Sequence, residues 1–183
     1  KTLQQSEYIS RIAIDTDSKI IREDAPKNFH DVTIIDRPDE LCGDFVSMNR
    51  IIQYDISRLS GEHFLQTHST NPLLTVKTLN NAIETYFNNL KSYDSLFSVT
   101  RWQTRFYWQN GDPVNHNPEE LIRTQDLPPV FEENSNFYIF SRNSFHKANS
   151  RRIGVKPKMF TVDRFESIDI DERIDFELAE FLY

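Results

Sequence analysis

Apolar positions along the chain change period repeatedly, from two residues to about 3.6 and back, and that rhythm predicts alternating strands and helices. Residues 11–16, 32–35, 63–66 and 95–99 are short β-type runs carried by Ile12, Ile14, Ile34, Phe64, Leu96 and Val99. Between them, residues 19–23 predict a short helix, and Met48, Ile51, Ile52, Ile56 and Leu59 fall at helical spacing. Val76, Leu79, Ile83, Phe87 and Leu90 form a second helical stripe that Thr75 can cap. Such alternation implies βαβ units and a mostly parallel sheet covered on both faces.

The rhythm breaks at residue 101. Residues 101–108 alternate polar and aromatic side chains, and Asn110-Gly111-Asp112-Pro113 supplies a turn, so the segment reads as a hairpin-like insertion into the α/β pattern. Arginine and aromatics together suit either the cover of a core or a protein interface, and the absence of an obvious place in the sheet favours the interface. Phe137, Tyr138, Ile139 and Phe140 then read as a buried strand.

Near the end, residues 166–172 carry a strand pattern in which Ile168 and Ile170 face one way and Asp169 and Asp171 the other. Ile174, Leu178, Phe181 and Leu182 follow at helical spacing. Two carboxylates at the carboxyl end of a strand can hold a hard cation such as Mg2+, which needs few protein ligands when phosphates and water complete its shell. The plainer alternative is that Asp171 caps the helix and Asp169 sits in solvent.

Composition adds bounds rather than chemistry. The chain of 183 residues, 38% hydrophobic and 27% charged, suits one soluble domain with a real core. A formal net charge of -7 argues against a nucleic-acid partner, whose phosphates need a basic surface. Cys42 is the one cysteine and no long apolar span or signal peptide is visible, which predicts a cytoplasmic setting without a membrane partner. Cys42 reads as a small packed residue, and His116 and His146 as surface residues.

Seven segments then occur in a telling order: Asp15-Thr16-Asp17, Arg37-Pro38-Asp39-Glu40-Leu41, Thr70-Asn71-Pro72-Leu73, Tyr93-Asp94-Ser95, residues 123–129, residues 133–140, and Ile168-Asp169-Ile170-Asp171. Together they resemble the acylneuraminate cytidylyltransferases over nearly the whole chain. The resemblance implies a Rossmann-like fold of the nucleotide-diphospho-sugar transferase type. It also implies a reaction in which CTP is joined to a nine-carbon α-keto acid sugar with release of pyrophosphate. By the same resemblance Asp169 and Asp171 are the catalytic, Mg2+-binding aspartates, and Arg37 lies near the cytidine. Thr70 and Asn71 line the cleft, and Asn134 and Tyr138 lie beside the sugar. Arg123 meets the sugar carboxylate, often from the neighbouring subunit of a homodimer, with Arg105 a further sugar contact.

Two departures from that pattern matter. His68 falls where many relatives carry glutamine, which keeps legionaminic, pseudaminic or other ulosonic acids open beside sialic acid as the substrate. Relatives also begin with a strand and a basic, glycine-rich phosphate loop, whereas residues 1–8 read as the tail of a helix and the four glycines form no such cluster. The expectation is therefore a single cytidylyltransferase domain over 1–183, incomplete at its N-terminus, with 102–122 as a dimerisation insertion. A non-catalytic dimeric binding module is the competing reading.

Overall fold

A computed structural model describes all 183 residues. The order is β1 (Ile12–Thr16), α1 (Lys19–Asn28), β2 (Val32–Asp36), α2 (Met48–Arg58), β3 (His63–Thr67), α3 (Val76–Asn88), β4 (Ser95–Trp102), β5 (Val130–Ser141), α4 (Arg142–Lys147), β6 (Pro157–Thr161) and α5 (Arg173–Leu182). The expected α/β alternation is thus present. Ser18 and Thr75 begin α1 and α3 by accepting from the backbone N–H of Ile21 and Thr78. α1 runs past the predicted stop near residue 23 and tolerates Pro26 inside it.

The strand pairing is mixed where a mostly parallel sheet was expected. β1 pairs with β2 in parallel and β4 with β6 in parallel, but β5 runs antiparallel to both β3 and β4. The cause is the connection from β4 to β5: residues 103–129 hold no crossover helix, so the chain returns beside β4 in the opposite direction. The ladders also fall into two pieces, β1-β2 and β3-β5-β4-β6.

β5 organises the core because both of its faces are covered. Phe137 and Ile139 pack with Leu79, Ala82, Ile83 and Tyr86 of α3. Tyr138 and Phe140 pack on the other side with Ile52 and Ile56 of α2 and Phe145 of α4. Burying an aromatic or branched side chain stabilises by about 1.5–3 kcal/mol, so these two clusters fix the helices to the sheet. α2 also reaches the smaller piece, where Tyr54 Oη donates to Asp36 O at 3.4 Å.

Three further expectations are corrected. Residues 168–171 form no strand but an irregular loop after β6, because no neighbouring strand offers them a ladder. α5 forms as predicted, yet Ile174, Leu178, Phe181 and Leu182 remain exposed and only Ala179 is buried. Residues 1–8 do not continue an α-helix. They make one 3₁₀ turn at Leu3–Gln5 and lie along α3, where Ser6 Oγ donates to Asn80 Oδ1 at 2.5 Å and Tyr8 Oη to Glu84 Oε1 at 2.7 Å.

Candidate functional site

The carboxyl end of β3 brings Gln66 and His68 beside β5, on which Tyr138 is the cross-strand partner of Gln66. Arg152, from the loop between α4 and β6, lays its guanidinium on the Tyr138 ring with its carbon 3.6 Å from the ring centre. Its Nη1 donates to Gln66 Oε1 at 2.8 Å and lies 3.4 Å from His68 Nε2. Tyr138 Oη donates to Glu133 Oε1, and Ser135 Oγ lies 3.1 Å from that hydroxyl. An irregularity in β5 makes this possible: Phe97 pairs with Tyr138 but Val99 already pairs with Glu133, and Ser135 takes a positive φ of 57°. The bulge folds Glu133 back over Tyr138.

Beside this cluster lies the acid-bearing loop, held by bonds to distant parts of the chain. The Glu166 carboxylate accepts from Thr75 N at 3.0 Å, Thr75 Oγ1 at 3.1 Å and Thr78 Oγ1 at 2.9 Å, which also satisfies the start of α3. Ile170 N donates to Thr70 O at 2.9 Å and Asn71 Nδ2 to Ile168 O at 3.3 Å. Asn136 Nδ2 donates to Glu166 O at 2.8 Å, and Asn134 Nδ2 to Thr100 Oγ1 at 3.0 Å, whose hydroxyl reaches Ser167 Oγ at 3.2 Å. Thr70, Asn71 and Asn134 are therefore gathered around the loop, with Asn71 and Asn134 buried and acting as its supports.

Asp169 is half-buried and close enough to His68 to influence its charge, whereas Asp171 is exposed. Asp171 does not cap α5: the Asp175 carboxylate accepts from the N–H of Asp171 at 3.2 Å and of Glu172 at 2.9 Å. Three buried acceptor oxygens on or against the loop have no partner, namely Asp169 Oδ1, Asn71 Oδ1 and Asn136 Oδ1. Orphaned acceptors of this kind fit a hard cation or the donors of a ligand. No group of three or more His, Cys, Asp or Glu side chains gathers as a metal cage. A cation here would rely on one or two carboxylates plus oxygens of a ligand, the habit of Mg2+.

Burial shifts the titration of the cluster. His68 is held below its usual pKa by desolvation, assisted by Arg152, so it is neutral near pH 7. Tyr138 is pushed up to about 12 by burial and by its bond to Glu133, so it remains a phenol. Burial also lowers Arg152, which stays cationic all the same.

Arg37 belongs to a different group, at the ends of β1 and β2. Its Nε donates to Asp15 Oδ1 at 2.6 Å, Nη2 lies 2.5 Å from the same oxygen, and Nη1 is 3.8 Å from Asp17 Oδ2. Burial pushes Arg37 down, but the bond to Asp15 and the charges of Asp15 and Asp17 together outweigh it, and the net shift is upward. Asp55 of α2 faces Asp15, and desolvation followed by the bond to Asp15 raises its pKa to about 8. Asp15 Oδ2 and Asp55 Oδ1 are both without partners, and a proton retained on Asp55 and donated to the Asp15 carboxylate in a hydrogen bond fits that arrangement.

The insertion does not bring its arginines to the cluster. Arg105 Nη2 donates to Ile122 O at 2.5 Å within the same loop. Arg123 is exposed and binds Asp126 through Nε at 2.7 Å and Nη2 at 3.2 Å. The turn at Asn110-Gly111 does form, with Tyr107 and Pro113 bridged and Gly111 at φ 89°. Asn115 ties the insertion together by accepting from Phe106 N and donating to Thr104 O and Pro128 O.

The match to the family described as Cytidylyltransferase runs over residues 1–183. The chain belongs to that family. It is similar to the post-translational flagellin modification protein B of Campylobacter coli, 25% identical over 191 residues, covering 98% of this chain and 79% of that protein. It is also similar to an N-acylneuraminate cytidylyltransferase of Escherichia coli, 25% identical over 193 residues, covering 96% of this chain and 42% of that longer protein. In fold it is similar to a CMP:2-keto-3-deoxy-manno-octonic acid synthetase complexed with CTP, at a TM-score of 0.67 and 8% identity, covering 99% of this chain and 83% of the other. No helix is long and apolar enough to cross a membrane.

Within this cytidylyltransferase, the sequence reading missed Gln66, Glu133 and Arg152 as members of the cluster. Gln66 carried a signal, since a polar residue at the carboxyl end of a strand stands where ligands collect. Arg152 carried none. It sits in a polar run beside Arg151, and only the fold brings it to Gln66, 86 residues away.

Proposed function

We propose that this cytidylyltransferase joins CMP from CTP to a sugar acid of the sialic acid type, releasing pyrophosphate. The observation that carries this is the rigidly held loop with a half-buried Asp169 whose Oδ1 has no partner, beside a cluster of sugar-compatible polar groups. In the reaction the anomeric hydroxyl oxygen of the acid forms a bond to the α-phosphorus of CTP. The bond from that phosphorus to the pyrophosphate oxygen breaks, and the hydroxyl proton passes to water. Most of the catalysis is positioning and charge stabilisation, which suits a site built from fixed supports rather than a nucleophile.

Asp169, with Asp171 as a second carboxylate, would hold Mg2+, which supplies charge neutralisation on the triphosphate. Thr70, Asn71 and Asn134 keep the Asp169 loop in place. Gln66 and His68 offer neutral hydrogen-bonding groups to the hydroxyl and acyl substituents of the sugar, while the fully buried Tyr138 supports Arg152 from beneath. Arg37, with Asp15 and Asp17, faces the cytidine side. The insertion 102–122 builds a homodimer in which Arg123 and Arg105 approach the partner's cleft, a reading supported by the exposure of Tyr107, Trp108, Leu121 and Ile122.

A second reading keeps the reaction and changes the acid. One relative, 30% identical over 74 residues, is named as a CMP-N,N'-diacetyllegionaminic acid synthase, which supports a related ulosonic acid such as legionaminic or pseudaminic acid as substrate. The deciding experiment incubates the full-length protein with CTP, Mg2+ and a panel of ulosonic acids and measures pyrophosphate. Release with one acid and not without it is expected. No release with any of them overturns the cytidylyl-transfer reading in favour of a binding module.

A further inference from the structure

We propose that Arg152 receives the carboxylate of the sugar acid, within a single protomer. The proposal rests on the cytidylyl-transfer reading above and adds a specificity-determining residue to it.

The first ground is that Arg152 is fixed from both sides. Its own N–H donates to Asn49 Oδ1 at 3.2 Å. Two residues on, Gly154 N donates to Ser95 Oγ, and Val155 N and Lys156 N donate to the Asp94 carboxylate, all at 2.9 Å. The approach is so close that a Cβ on Gly154 would come within 2.2 Å of Asp94 Oδ1, so only glycine fits. A backbone tied down in this way holds a long side chain in one place, which lowers the entropy cost of binding.

The second ground is that its charge is incompletely answered. The Arg152 side chain is 17% exposed, and its only acidic neighbour is Glu133, with Oε1 3.8 Å from Nη2, too far for a hydrogen bond. Glu133 is already occupied by the Tyr138 hydroxyl, and the remaining partners, Gln66 and His68, are neutral. Arg37, of nearly equal exposure at 18%, instead has two donors on Asp15. A half-buried guanidinium that is stacked on an aromatic ring and has no carboxylate within hydrogen-bond distance is an anion site awaiting its ligand.

The third ground selects the anion. The planar fork of donors matches a carboxylate bidentately. Glu133 stands at Arg152, and its charge repels a triphosphate more strongly than a monoanion. Arg123, to which resemblance gives the same task, is solvent-exposed and already binds Asp126.

The test uses the full-length protein and the variants Arg152→Ala and Arg152→Lys. N-acetylneuraminic acid and N,N′-diacetyllegionaminic acid are varied at saturating CTP, then CTP at saturating acid. Binding of each acid and of its C1 carboxamide is titrated separately by NMR. Arg152→Ala should raise KM for the preferred acid by about thirtyfold or more while KM for CTP moves less than about threefold, the effect of losing a charge-assisted pair to one substrate. Wild type should bind the acid better than the carboxamide, and the Ala variant should bind both alike. An unchanged KM for the acid, an equal rise for CTP, or retained preference for the acid would overturn the proposal. If Arg152→Ala fails to fold, Arg152→Lys keeps the cation and loses the fork. Its preference for acid over carboxamide should fall by about tenfold, and an undiminished preference overturns the assignment. Absence of pyrophosphate release by wild type with every acid refutes the cytidylyl-transfer reading alone, because the NMR titration still decides whether Arg152 recognises a carboxylate.

Discussion

Two arginines of nearly equal burial, Arg37 and Arg152, do different work because of what surrounds them. Arg37 sits at the ends of β1 and β2 with Asp15 bound by two of its donors, and Asp55 adds a proton to the same group. That cluster is electrostatically closed. Arg152 stacks on Tyr138, holds a neutral amide and stands 3.8 Å from Glu133, and the adjoining loop offers acceptor oxygens without partners. That cluster is open. Breaking a closed cluster should cost stability, and altering an open one should cost binding and turnover, because a satisfied buried charge supports the fold while an unsatisfied one awaits a ligand.

The largest expected effect is at the open cluster. Asp169→Asn should lower turnover by at least about a hundredfold, comparable to loss of a transition-state electrostatic contact, with the melting temperature nearly unchanged. Steady-state kinetics across a Mg2+ titration beside thermal melts measures both, and near-normal turnover would remove Asp169 from the reaction. Asp171→Asn is expected to act in the same direction.

Next is the closed cluster, read by denaturation. Arg37→Ala leaves Asp15 buried without its partner and should destabilise by about 2–4 kcal/mol, whereas Arg152→Ala, which loses the bond to Gln66 and the stacking on Tyr138 but no close ion pair, should cost about 1–2 kcal/mol. Equal losses in urea unfolding would erase the distinction between the two arginines.

A smaller, pH-dependent effect sharpens the closed cluster further. The pKa of Asp55 is raised from 3.8 to about 8, so the folded state binds this proton more tightly than the unfolded state. Its stabilisation is complete below about pH 4 and is lost as pH rises through about 8. Asp55→Asn keeps a donor toward Asp15 and does not titrate. The variant should therefore gain stability over wild type as pH rises from about 5 to 8, which thermal melts across that range would reveal. A gap that stays constant with pH would show that Asp55 and Asp15 do not share a proton.

The smallest effect is expected at the insertion. Arg123→Ala removes an exposed pair with Asp126 and should change stability by less than about 0.5 kcal/mol in urea unfolding. A larger loss would show that the insertion relies on this pair in a way its exposure does not explain.

The sequence by itself determined the elements whose cause is local. The helical stripes of α2 and α3, the runs of β1 to β4 and the Thr75 cap all depend on residues a few positions apart, and periodicity reports those directly. The acid pair ahead of a helix was legible for the same reason, and the ordered segments pointed to the family now matched over residues 1–183. Tertiary structure decided the rest. An alternating run at 168–171 becomes a strand only if a ladder is available, and none is, so the loop is shaped by Thr70, Asn71, Asn136 and Glu166 instead. The direction of β5 follows from a helix-free connection, which strand propensity does not encode. Arg152 meets Gln66 and Tyr138 because the loop after α4 is tied to Asp94, Ser95 and Asn49. Whether an arginine is neutralised or left waiting depends on which side chains distant in sequence arrive beside it, and packing of the whole chain sets that.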